Sequence, residues 1–96
     1  MKIIYLESSL DDIEWVGFYY RNIFPSGKKE AIKHIKTAEQ LISNHPDIGQ
    51  IYDDKKNIKE LVINSTPFSF IYRIKSENIE ILRLWDQRGN RSHLRV

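Results

Sequence analysis

Phe68-Ser69-Phe70-Ile71-Tyr72-Arg73-Ile74-Lys75, then Ser76-Glu77-Asn78, then Ile79-Glu80-Ile81-Leu82-Arg83-Leu84-Trp85 is the stretch that decides the fold. Two runs rich in β-branched and aromatic residues, joined at a polar turn, read as a β-hairpin. Side chains alternate along a strand, so a loop with an even number of residues fixes which residues share a face. On that basis Phe68, Phe70, Tyr72 and Ile74 lie with Ile79, Ile81, Arg83 and Trp85. Ser69, Ile71, Arg73 and Lys75 lie with Glu80, Leu82, Leu84 and Asp86 on the other face. Both faces carry apolar residues, so both are expected to be partly covered. The hairpin runs out into Arg88-Gly89-Asn90-Arg91, a cationic end on a rigid scaffold.

Upstream of the hairpin, Ile58 to Asn64 reads as another strand, with Ser65-Thr66-Pro67 as the connector. At the other end of the chain, Ile3 to Leu6 is a short apolar run without helical spacing and reads as a first strand. Ser8 and Ser9, each with an aspartate three residues on, form an N-terminal capping pattern. Leu10, Ile13, Val16 or Gly17, Tyr20 and Ile23 then recur at three to four residues. A helix is predicted to about Asn22, stopped by Pro25, which disfavours a helical Phe24. A second amphipathic helix carries Ala31, Ile32, Ile35, Ala38, Leu41 and Ile42 on one stripe and ends at Asn44-His45-Pro46. The polar stretch from Asp47 to Asn57 reads as a loop. The order β-α-α-β-β-β predicts an α+β domain, an antiparallel sheet packed against an N-terminal helical hairpin.

The 96 residues are expected to form one domain, 1–96, enough to bury roughly 60 to 65% of the unfolded surface. With 41% hydrophobic and 29% charged residues, the composition is that of a folded chain rather than a disordered one. There is no cysteine, which excludes disulfides and thiolate metal sites and fits a reducing cytoplasm. The apolar run in Met1 to Glu7 is too short for a signal peptide, and no stretch approaches a membrane span. A cytoplasmic protein without membrane contact is expected.

The net charge of +2, from 15 Lys and Arg against 13 Asp and Glu, exerts little long-range pull on nucleic acid. Its distribution is uneven. Glu7, Asp11, Asp12 and Glu14 make the start acidic, and Arg88, Arg91, His93 and Arg95 make the end basic. Phosphate-binding glycine loops, zinc-helix motifs and serine elbows are absent from the sequence. His34, His45 and His93 stand far apart, so neither a metal nor another cofactor is expected. The candidates for function are cations: Lys55 and Lys56 before the second strand, Arg73 and Arg83 in the hairpin, Arg88 and Arg91 beyond it. Arg83 stands out, because parity puts it on the aromatic face next to Trp85, where an unpartnered guanidinium is costly.

Leu41-x-x-x-His45-Pro46-x-Ile48-Gly49, Lys59-Glu60-Leu61-Val62-Ile63, Phe70-Ile71-Tyr72-Arg73-Ile74 and Ile79-Glu80-Ile81-Leu82-Arg83-Leu84-Trp85-Asp86-x-Arg88 together resemble the RelE/ParE superfamily of type II toxins. The resemblance covers nearly the whole chain and implies the same order of elements, growth inhibition, a role in plasmid stabilisation and a cognate antitoxin partner. It also implies one of two targets.

RelE-like members cut messenger RNA on the ribosome, with the ribose 2′-OH attacking the adjacent phosphate. That chemistry needs a base, cations for the phosphate, and an acid for the leaving oxygen. Lys55, Lys56 or Glu60 would be the base, and Arg73, Arg83 and Arg88 the phosphate stabilisers. Those toxins carry a Tyr or His near the C-terminus as the acid, and only His93 fits here. Asp86 stands where a ParE-like strand often has His, with the wrong charge beside a phosphate unless it orients Arg88.

ParE-like members instead poison DNA gyrase and need no catalytic residues. The strand texts, the incomplete acid-base set and the low net charge favour this mode, with Arg83, Trp85, Arg88 and Arg91 as target contacts. A ribosome-dependent nuclease is the alternative, and a non-catalytic binding module or decayed toxin the third reading. Whether the protein is an enzyme stays open at this point. If the helices cover the aromatic face, the antitoxin is expected on the Ile71, Leu82 and Leu84 face or at the sheet edge.

Overall fold

The computed structural model describes residues 1–89 together with Leu94 and Val96. It is a five-stranded sheet, β1 (Lys2–Tyr5), β2 (Gln50–Asp53), β3 (Ile58–Val62), β4 (Phe68–Lys75) and β5 (Asn78–Asp86), with helices α1 (Leu10–Phe18) and α2 (Lys28–Asn44). The strand order is β1-β5-β4-β3-β2. The α+β class and the order of the predicted elements hold. Four strands form an antiparallel meander, while β1 pairs parallel with β5, Lys2 opposite Asn78 through Tyr5 opposite Ile81, which makes the sheet mixed. The helices carry the chain across one face before the meander begins, and β1 takes the remaining edge of β5.

The stretch read as a loop contains β2. Gln50 pairs with Glu60 and Ile51 with Lys59 on the outer edge. This segment is held in place by Tyr72, whose hydroxyl donates to the Pro46 carbonyl at 2.8 Å and accepts from the Gly49 amide at 2.9 Å. Gly49 is required there, because a Cβ would stand 2.6 Å from that hydroxyl and 3.0 Å from the Glu60 carbonyl oxygen.

The capping pattern works differently from its sequence reading. Neither serine caps α1; Ser9 turns its hydroxyl back onto the Leu6 carbonyl at 2.7 Å, and Ser8 reaches Leu82 of β5. Helical geometry continues past Phe18 as one wide π-turn, closed by the Phe24 amide on the Tyr19 carbonyl at 2.8 Å. It ends at Phe24, pushed out of helical geometry by the following proline. His45 ends α2 in the same way ahead of Pro46.

The main core lies between the helices and the sheet. Phe68, Phe70, Tyr72, Ile79 and Ile81 are fully buried there against Val16, Tyr19 and Tyr20 of the first helical segment and Ala31, Ala38 and Ile42 of α2. Tyr19 meets Phe68 edge-on, ring centroids 5.7 Å apart, a favourable quadrupole geometry. A smaller core on the opposite face joins Ile58, Ile71 and Leu82, covered by Leu6, Tyr52, Trp85, Leu94 and Val96. Ile71 and Leu82 are therefore buried, and Leu84 belongs to the main core, so the face expected to remain open is filled. The exposed large apolar side chains sit mostly on the helical layer, among them Leu10, Trp15, Phe18 and Ile32.

The hairpin register corrects the parity reading. Lys75 pairs with Asn78, Ile74 with Ile79 and Tyr72 with Ile81, but Ile71 then pairs with Arg83. One residue of β5 is absorbed in a bulge, and side-chain parity flips beyond it. Arg83 and Trp85 thus lie on the smaller-core face with Ile71 and Ser69, not on the aromatic face, while Leu84 and Asp86 turn to the helices.

Candidate target-contact site

Beyond Tyr5 the outer edge of β5 has no strand partner among the described residues. Leu6 donates its amide to the Ile81 carbonyl at 3.0 Å, and from there the start of the helical segment takes over. The Ser8 hydroxyl donates to the Leu82 carbonyl at 2.7 Å, Asp12 Oδ2 accepts the Leu84 amide at 3.1 Å, and Trp15 Nε1 donates to Asp86 Oδ2 at 3.1 Å. Arg88 reaches the Tyr19 hydroxyl at 3.5 Å and lies over that ring, 4.8 Å from its centroid. Positions 8, 12, 15 and 19 form one helical stripe, and 82, 84, 86 and 88 follow the spacing of a strand edge. The two periodicities run side by side, so side chains satisfy groups that a bare edge leaves open.

Arg83 is bound into this seam. Asp12 takes its Nε at 2.6 Å and Nη2 at 2.9 Å, a bidentate pair with both side chains largely buried. Those hydrogen bonds raise the arginine's pKa further above its usual value, against the effect of burial. The guanidinium also lies over the Trp85 ring, 5.4 Å from the centroid. The Trp85 indole nitrogen is itself buried and has no hydrogen-bond partner among the described residues.

Arg88 is held differently. Asp86 Oδ1 accepts from the Arg88 amide at 3.0 Å and from Nε at 2.9 Å, and Oδ2 accepts from Nη2 at 2.8 Å. With Trp15 added, both carboxylate oxygens take two donors each. The hydrogen bonds from Arg88 hold the Asp86 carboxyl below its usual range. Arg88 remains 53% exposed at its side chain, with Nη1 turned toward the Tyr19 hydroxyl.

The other candidates are scattered. Arg73 is paired across the hairpin with Glu80 at 2.7 Å. Glu60 accepts from the buried Ser69 hydroxyl at 2.6 Å and sits in register with Ile71, which in turn faces Arg83. Lys55 and Lys56 are exposed in the turn after β2, and Lys56 Nζ donates to the Val96 carbonyl at 3.3 Å. Arg91 and His93 lie outside the described residues. Glu60, Arg73, Arg83 and Trp85 share one face of the sheet, whereas Arg88 lies with Asp86 on the helix side. Sequence reading missed Asp12, Trp15 and Tyr19, although the 4-3-4 spacing from Ser8 was present to be found. Among the described residues no group of three or more His, Asp or Glu is placed to hold a metal ion.

This layout, two helices on one side of a sheet with a reinforced last strand, is that of a small α+β domain. The family model described as ParE toxin of type II toxin-antitoxin system, parDE, matches residues 3–91, and the chain belongs to that family. A solved structure described as the chromosomal ParDE TA system from P. aeruginosa is similar in fold, with a TM-score of 0.67 at 21% identity over 88% of this chain and 92% of that one. No curated protein matches the sequence. No helix among the described residues is long and apolar enough to cross a membrane.

Proposed function

We propose that this ParE-family toxin arrests growth in the cytoplasm by binding DNA gyrase, without cutting RNA, and that a cognate antitoxin holds it inactive. In an operon with that antitoxin it would serve plasmid stabilisation. The observation that carries the reading is the state of the hairpin arginines. Arg73, Arg83 and Arg88 are each engaged by a carboxylate of the same chain, Glu80, Asp12 and Asp86. A phosphoryl-transfer site needs cations directed at the developing charge, and pairing of this kind spends that charge internally. The candidate base Glu60 and candidate stabiliser Arg88 also lie on opposite faces of the sheet.

The antitoxin contact that suits this surface is the groove between the two helices. Val16, Gly17, Tyr20, Ala31, Ile32 and Ile35 line a cavity of about 200 Å³ with Arg21 and Lys28 at its rim. An amphipathic segment with an apolar stripe and acidic flanks fits both the lining and the charge. Inducing the chain without its antitoxin tests the target. Accumulation of the gyrase–DNA cleavage complex with intact messages is the expected result, and messages cut during translation with gyrase unaffected would overturn it.

A further inference from the structure

We infer that Arg88 is a pre-oriented hydrogen-bond donor for an acceptor oxygen on a protein target, with Asp86 as its positioning residue and the exposed rings of Trp15 and Phe18 as the apolar flank of the same contact. The inference rests on the toxin reading above and goes beyond it by assigning the contact and its chemistry.

Three observations support it. An exposed arginine side chain ordinarily has much rotamer entropy to lose on binding. Here much of that freedom is already gone, since Nε, Nη2 and the backbone amide converge on one carboxylate and the guanidinium lies over Tyr19. Asp86 is itself fixed by the Trp15 indole, so the anchor does not swing with its guest.

Charge supplies the second point. Asp86 offsets the charge of Arg88, while the side chain stays 53% exposed and each terminal nitrogen, bonded once within the chain to Tyr19 or Asp86, keeps a second N–H. A phosphodiester approaching those N–H groups would meet a nearly neutral pair. A backbone carbonyl or a side-chain oxygen of a protein needs only the donors.

The third point is the company Arg88 keeps. Trp15 is 39% exposed and Phe18 45% exposed, and the rings stack at 5.7 Å with 19° between planes. Trp15 thereby joins the anchored carboxylate to an open aromatic shelf. Arginine and tryptophan are the residue types that dominate protein-binding hot spots.

A double-mutant cycle on Asp86→Ala and Arg88→Ala tests the inference, read as inhibition of purified gyrase and as growth arrest, with thermal unfolding as the folding control. Each single change is expected to weaken inhibition by about thirtyfold, the lower end of a hot-spot truncation. The double variant should be no weaker than Arg88→Ala, because Asp86 acts only through Arg88. Arg88→Lys should fail to rescue, since an ammonium lacks the fork. Additive losses at unchanged unfolding temperature would overturn the positioning role. RNA cleavage or binding that depends on Arg88 would overturn the protein acceptor. If the wild-type chain arrests growth and leaves gyrase untouched, the gyrase reading fails, and a non-additive cycle in growth arrest still supports the inference. If the wild-type chain arrests nothing, the toxin reading and this inference fail together.

Discussion

Asp12 closes on Arg83 through two hydrogen bonds, Oδ2 to Nε at 2.6 Å and Oδ1 to Nη2 at 2.9 Å, across 71 residues of sequence. The same Oδ2 accepts the Leu84 amide, so one carboxylate serves both the side chain and the backbone of β5. Asp12→Ala would remove the bidentate carboxylate from a largely buried guanidinium and the acceptor of the Leu84 amide. A loss of about 3 kcal/mol is expected in urea unfolding, the range for breaking a buried pair from one side. Asp12→Asn, which retains one acceptor oxygen, should lose less.

The β4–β5 turn stores strain that can be relieved. Ser76 and Glu77 have φ of 51° and 67°, the two positive values of a type I′ hairpin, without the asparagine and glycine that favour it. Ser76→Asn with Glu77→Gly should stabilise the chain by about 1 kcal/mol, measured as a higher urea midpoint at unchanged slope.

Loss of one hydroxyl should loosen one edge of the sheet. Tyr72→Phe removes the acceptor of the Gly49 amide and the donor to Pro46, at a cost of about 1 to 3 kcal/mol. Hydrogen exchange should rise at residues 48–53 and stay unchanged in β4 and β5. Gly49→Ala should give the same pattern, by displacing the hydroxyl instead of deleting it.

Alkali should weaken the fold. Tyr5, Tyr20 and Tyr72 all hold their protons above the usual phenol range, chiefly through burial, and Tyr5 also through its 2.6 Å bond to Glu39. The folded state binds these protons more tightly than the unfolded chain. Stability is therefore complete below the unfolded value of about 10 and declines as pH rises beyond it toward the folded values. Urea unfolding at about pH 8 and about pH 11 measures the loss, and Tyr5→Phe should reduce it.

Contact with an antitoxin through the helical groove makes a separate claim. Ile32 is 45% exposed beside that groove, so Ile32→Glu should leave thermal unfolding nearly unchanged. It should weaken binding of the purified antitoxin, by losing apolar contact and by placing a negative charge against an acidic segment.

The hairpin and both helices were legible because their hydrophobic patterns run over many residues, and the first strand because its short apolar run lacks helical spacing. β2 was not, since Gln50–Asp53 is a short edge strand with Ile51 67% exposed, ordered by pairing with β3 rather than by its own pattern. The bulge was equally silent. Leu82 and Arg83 look like ordinary alternating positions, and only the backbone shows that one register step is lost between Ile71 and Tyr72. Arg88 and Asp86 were read as a possible orienting pair from adjacency alone. Trp15 and Tyr19 escaped because contact between a helical stripe and a strand edge 71 and 69 residues away leaves no local trace.

The seam between the first helical segment and β5 also sets a timetable. Lys2 to Tyr5 pair with Asn78 to Ile81, and Asp12 and Trp15 hydrogen-bond to residues 83–86. At about 5 to 20 residues per second of synthesis, the N-terminal segment waits several seconds or more for β5. The surface around Asp86 and Arg88 is thus completed late in synthesis, when β5 closes onto a helical segment made long before it.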